Sequence, residues 1–161
     1  MPTTLEDFRR TEQAGPATGV GAMVTLEVGS DSWPRAGGKV RITGRVLYAQ
    51  AKEFVRTGPV ARGSRMDLGP TAVIDADGVV VSVTTNQTTA IGRAPFEQFG
   101  LRPEDFSIIV LQSKTHFRAV YEPMAKAILI VDTPDWGPAD LTTLPFRQVP
   151  VEAVYPFSEA A

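Results

Sequence analysis

Val40, Ile42, Val46 and Tyr48 alternate with Lys39, Arg41, Thr43 and Arg45. That period of two predicts a half-buried strand over residues 39–48. A looser alternation predicts another strand over residues 22–28. Residues 71–75 and 79–85 flank Ala76-Asp77-Gly78, where Asp-Gly between two β-branched runs predicts a tight hairpin. Two later stretches are almost purely apolar: Ser107-Ile108-Ile109-Val110-Leu111 and Ala127-Ile128-Leu129-Ile130-Val131. Continuous runs of that length predict buried strands. Between them Phe117, Val120, Tyr121 and Met124 recur at helical spacing and predict a helix with one core-facing stripe, ended or kinked at Pro123. Strand, helix and strand in that order imply a βαβ crossover with parallel pairing.

Other elements are shorter. Thr4-Leu5-Glu6-Asp7 has the spacing of a capping box and predicts a helix over residues 4–13, closed by the glycines around Pro16. Residues 29–38 read as a loop. Residues 94–100 carry proline in a first turn and glycine at the end, which predicts a short helix, and residues 102–105 add one more turn. The tail over residues 134–161 holds five prolines and is expected to wrap the surface, adding a strand at 149–154. The expected fold is an α+β domain: a mixed β-sheet of about six strands with a β-hairpin, one βαβ crossover and two or three short helices.

Composition narrows the function more than the fold. The chain has 161 residues, one domain by length, spanning 1–161. Sixteen basic and eighteen acidic side chains leave a net charge of -2 without a long block of one sign, so no nucleic-acid partner is expected. The longest apolar run is far short of the roughly 20 residues that span a bilayer, and the N-terminal residues lack the basic and apolar regions of a signal peptide. No membrane partner is expected, and the location is read as cytoplasmic. The chain has no cysteine and one histidine. Disulfides and thiolate chemistry are therefore excluded, and a zinc site would need mostly carboxylates, an unusual ligand set.

Imidazole chemistry is confined to Ser113-Lys114-Thr115-His116-Phe117-Arg118-Ala119. If Ser113 or Thr115 caps the predicted helix, His116 lies in its first turn, where free amides favour carboxylate or phosphate and Lys114 and Arg118 add charge. A capped helix with one packed histidine explains the same residues. Thr84-Thr85-Asn86-Gln87-Thr88-Thr89 is a run of small polar side chains able to line a polar pocket around Asn86 and Gln87, or to be a solvated strand end. Asp75 and Asp77 are assigned to the turn rather than to catalysis. The glycines around residues 29–38 fit neither a dinucleotide nor a P-loop pattern. No serine sits in G-x-S-x-G.

At these residues the chain resembles a known family. Ser113 to Ala119 followed by Tyr121-Glu122-Pro123-Met124-Ala125 is similar to the S-x-x-H-F-R-A and F-x-P-[IM]-A pattern of the C-terminal domain of the MlrC (microcystinase C) family. Val20-Gly21-Ala22-Met23-Val24-Thr25-Leu26, Val40-Arg41-Ile42-Thr43-Gly44-Arg45-Val46, Thr57-Gly58-Pro59, Asp67-Leu68-Gly69-Pro70-Thr71-Ala72-Val73, Val131-Asp132-Thr133-Pro134 and Tyr155-Pro156 match in the same order, covering roughly residues 18–157. The resemblance implies a zinc-dependent hydrolase of short peptides, with a metal-bearing N-terminal domain and a C-terminal domain beside the active site. This chain covers only the second part, and the zinc-bearing domain is absent from it. Polar positions depart from the pattern. Thr84 to Thr89 lacks the expected arginine, Gln112 stands where a lysine is expected, and Gly29-Ser30-Asp31 replaces Gly-Gly-Lys.

The expected role is a stand-alone accessory or ligand-binding module without catalysis of its own, taking a small anionic or peptide ligand at Ser113, Lys114, Thr115, His116 and Arg118, with Asn86 and Gln87 nearby. No metal ligand and no cofactor are expected in this chain, zinc being carried by the missing domain. Enzymatic status stays open. A separate MlrC-type zinc domain would complete a split metallopeptidase in which His116 hydrogen-bonds the substrate or its tetrahedral intermediate. The third alternative is a homo-oligomeric structural domain that covers its own orphaned apolar face by self-association.

Overall fold

The computed structural model describes residues 19–30, 38–113, 115–131, 140–148, 150 and 153–157. The helix expected over residues 4–13, most of the loop at 29–38, Lys114 and half of the strand expected at 149–154 lie outside those residues. The framework is one antiparallel sheet of four strands in the order β1-β2-β3-β4. They run Met23–Ser30 (β1), Gly38–Val55 (β2), Arg65–Ala76 (β3) and Val79–Thr84 (β4). Two short helices follow, Ala94–Glu97 (α1) and Arg118–Tyr121 (α2). Single 3-10 turns occur at Pro103–Asp105 and Leu141–Thr143.

The alternating segments and the hairpin form as their patterns predict. Asp77 and Gly78 both take positive φ, 55° and 86°, the combination a type I′ turn requires and Asp-Gly supplies at low cost. The Gly78 amide also donates to Asp75 Oδ1 at 2.8 Å, so Asp75 serves the turn. β2 is longer than its alternation suggests because it is bulged. Val46 pairs with Ile74 but Tyr48 pairs with Val73. Cross-strand partners share a face, so the bulge at Leu47 moves Tyr48 to the face opposite Val46. There its ring meets Phe99 edge-on at 5.0 Å. On that side Phe54, Leu68 and Ala94 form a buried cluster with Met66 and Phe99 against it, which seats α1 on the sheet. The centre of β3 is sealed on both faces, with Thr71, Val73 and Ile74 at 0% exposure.

Gly44 explains one glycine in the strand pattern. A Cβ there would drive into the Asp75 carbonyl oxygen across the β2–β3 pair, a backbone neighbour that cannot rotate away.

The six-stranded mixed sheet and the βαβ crossover do not form; the fold is mostly antiparallel sheet. Residues 107–111 and 127–131 join no strand. Ile108 is 81% exposed and Val110 90%, while Leu129, Ile130 and Val131 are 85%, 62% and 74% exposed. An apolar run reports that cover is needed, and among the described residues no sheet edge supplies it. The helix between the runs keeps its stripe, with Phe117 and Tyr121 buried and Val120 and Met124 half-buried, but it is one turn long. Glu122 closes it one residue before Pro123. No helix among the described residues is long and apolar enough to cross a membrane.

Candidate functional site

The predicted helix-terminal site resolves into separate pieces. The N-cap of α2 is Phe117, with no side-chain cap; Thr115 contributes its carbonyl, which accepts from the Arg118 amide at 3.1 Å. Ser113 therefore does not cap, and its Oγ is buried without a partner among the described residues. A single helical turn aligns too few peptide dipoles for the anion site expected of a longer helix. His116 is exposed, its Nδ1 3.4 Å from Thr115 Oγ1. Arg118 lies against the Phe117 ring and binds Glu122 at 3.2 Å, so a neighbouring carboxylate already meets its charge. Lys114 lies outside the described residues.

Asn86 is tied into the sheet. Its Nδ2 donates to the Asp67 carbonyl and its amide to Leu68 O at 3.0 Å. Thr85 Oγ1 donates to Pro70 O at 2.9 Å, and Gly69 N donates to Asp67 Oδ1 at 2.7 Å. Gly69 has φ 61°, and a Cβ there would press on Thr85 and Asn86. The segment Asp67-Leu68-Gly69-Pro70 is thus a knot between β3 and the end of β4. Gln87 next to it is exposed and makes no hydrogen bond to the described residues. No hydrogen bond or ion pair among the described residues links the Asn86 side to the His116 turn.

A centre that the sequence reading missed joins α1, the 3-10 turn at 103–105 and α2. Arg93 binds Glu97 at 2.8 Å and Glu104 at 2.6 Å, and its Nη1 reaches Met124 Sδ at 3.8 Å. The two carboxylates, Glu104 foremost, hold the Arg93 guanidinium charged well beyond its ordinary range, and Arg93 in turn holds the Glu104 carboxyl below the usual carboxylate range. Tyr121 donates its hydroxyl to Gly92 O at 2.8 Å and packs edge-on against Phe96 at 6.2 Å. Burial pushes its pKa up to about 12, partly offset by Arg93. Gly92 and Gly58 touch backbone to backbone, and Val120 sits beside Gly58. Thr57-Gly58-Pro59 is therefore the place where the loop after β2, the approach to α1 and α2 meet. The i,i+4 pair Arg93–Glu97 was the available sequence signal; the link to Glu104 and Met124 is long-range and leaves none.

The chemistry these groups can perform is limited. A cavity lined by Phe54, Thr57, Gly58, Thr89, Ile91 and Gly92 is of water size. Among the described residues no three His, Cys, Asp or Glu side chains lie close enough to hold a metal, so those residues do not form a zinc site. Comparison with known proteins then decides the family. A model of the MlrC C-terminus matches residues 10–148.

The chain belongs to the MlrC C-terminal family. A solved protein from Mesorhizobium sp. BNC1, provisionally described as a metallopeptidase, matches with a TM-score of 0.73 and 26% identity over 96% of this chain and 30% of its own. This MlrC C-terminal chain thus spans less than a third of that neighbour's length. No curated protein matches it.

Proposed function

We propose that this chain is an accessory module of an MlrC-type zinc peptide hydrolase, holding peptide or anionic ligand groups while a separate domain carries the metal and the chemistry. The observation that carries this reading is the family match over residues 10–148 together with the neighbour's much longer chain. The donor set supports it, since one histidine and no cysteine cannot build a usual zinc site. His116 and Arg118 project from one exposed turn, the arrangement a ligand-holding surface needs. The lack of cysteine and of any long apolar helix among the described residues supports a cytoplasmic place.

The test is a peptidase assay on the full chain with zinc, paired with calorimetric titration of a short acidic peptide. No turnover is expected, and Arg118→Ala is expected to weaken peptide binding. Turnover by the chain alone overturns the reading.

The exposed imidazole favours a second reading, in which His116 hydrogen-bonds the substrate of a reconstituted metallopeptidase. His116→Ala then lowers turnover of the assembled enzyme by about tenfold or more. Unchanged turnover removes it.

A further inference from the structure

Residues 107–111 and 127–131 combine two deficits that rarely occur together in a finished surface. Ile108, Val110, Leu129, Ile130 and Val131 are exposed, from 62% at Ile130 to 90% at Val110, while Ile109, Leu111 and Ile128 between them are half-buried. Their main chain is extended or irregular, and none of their amides or carbonyls makes a hydrogen bond with the described residues. Exposed apolar groups call for an apolar cover, and unpaired backbone calls for hydrogen-bonding partners. A lipid surface answers the first demand and fails the second, because hydrocarbon cannot satisfy peptide groups. Nucleic acid fails the first, since neither run carries a charge. A polypeptide that offers a strand edge beside an apolar surface answers both.

We propose that residues 107–111 and 127–131 are docking segments for the protein region that the longer Mesorhizobium chain carries beyond its match to this one, with pairing of their backbone to a strand edge of that region and burial of Ile108, Val110, Leu129 and Val131. The choice of occupant rests on the accessory-module reading and on that neighbour, where the same fold fills only 30% of the polypeptide. A second copy of this chain is the rival occupant.

Hydrogen–deuterium exchange on the whole chain reads the pairing directly. The chain is measured alone over a concentration series, then mixed with the Mesorhizobium protein trimmed of the region this chain matches. A chimera carrying this chain in place of that region gives the same readout at high effective concentration, so weak association does not hide the pairing. Amides of 107–111 and 127–131 are expected to exchange fast in the chain alone and to slow at least about tenfold in the mixture or chimera. Val110→Lys and Leu129→Lys, at exposed positions, are expected to leave the melting temperature of the free chain unchanged and to abolish the slowing. Fast exchange in both mixture and chimera overturns the proposal. Protection in the chain alone that grows with concentration also overturns it, in favour of a second copy. Peptide hydrolysis keeps the two readings apart: protection without hydrolysis retains the docking surface and removes the metallopeptidase role, while hydrolysis without protection does the reverse.

Discussion

Residues 71–74 and residues 107–111 are both short runs rich in apolar side chains, and they end in opposite environments. Thr71, Val73 and Ile74 are at 0% exposure with a paired strand on each side, whereas Ile108 and Val110 stand in solvent at 81% and 90%. The difference lies in what flanks each run. The first is followed by Asp-Gly and preceded in the chain by a long alternating strand, so both neighbours are local in sequence and form with little loop cost. The second has no hairpin partner among the described residues. Hydrophobicity states that a segment must be covered, and the turns around it decide whether its own chain does the covering.

The largest effect should separate these runs. Ile74→Ala removes fully buried carbons from β3 and is expected to lower stability by about 2–5 kcal/mol. Val110→Ala should fall within about 0.5 kcal/mol of the parent. Urea denaturation of the two variants checks the contrast, and equal losses would break it. Gly44→Ala comes next, at about 1–3 kcal/mol, because its methyl group meets the Asp75 backbone rather than a movable side chain. A neutral result there would mean that the β2–β3 pair yields more easily than its burial implies.

A sharper probe of the second region is Tyr121, which holds α2 to Gly92 through one hydroxyl. Tyr121→Phe is expected to cost about 1 kcal/mol at neutral pH. The pH dependence carries its own sign. The folded pKa is raised to about 12 from an unfolded 10.0, so this stabilisation is complete below pH 10 and is lost as the pH rises toward 12. The variant should lack that alkaline decline, which thermal melts between those two values would show.

Much of the sheet was legible because its signals are local. Period-two alternation at residues 39–48 and Asp-Gly at 77–78 each set a strand or turn without help from distant residues. The bulge that moves Tyr48 to the opposite face was not legible, since it depends on where β3 places Val73 and Ile74. The site was legible in part. His116 and Arg118 do share one turn, but the cap expected from Ser113 or Thr115 gave way to the packing of Phe117 beneath α2. Asn86 looked like a pocket lining and serves as a clamp on Asp67 and Leu68, because its backbone neighbours come from a strand about twenty residues earlier. The apolar runs at 107–111 and 127–131 misled for a related reason: periodicity records burial without naming the molecule that provides it.

The smallest effect tests whether the second region is held by charge as well as by Tyr121. Arg93 keeps the Glu104 carboxyl below its ordinary value of 4.5 through a direct hydrogen bond. A depressed carboxylate contributes stability that is complete above that value and is lost as the pH falls through the lowered one. Glu104→Gln should therefore flatten the acid limb of a melting-temperature profile while leaving the neutral plateau nearly unchanged, because both side chains are substantially exposed, at 35% and 40%. An unchanged acid limb in Glu104→Gln would show that α1, the 103–105 turn and α2 are joined by packing on Phe96 and Tyr121 alone.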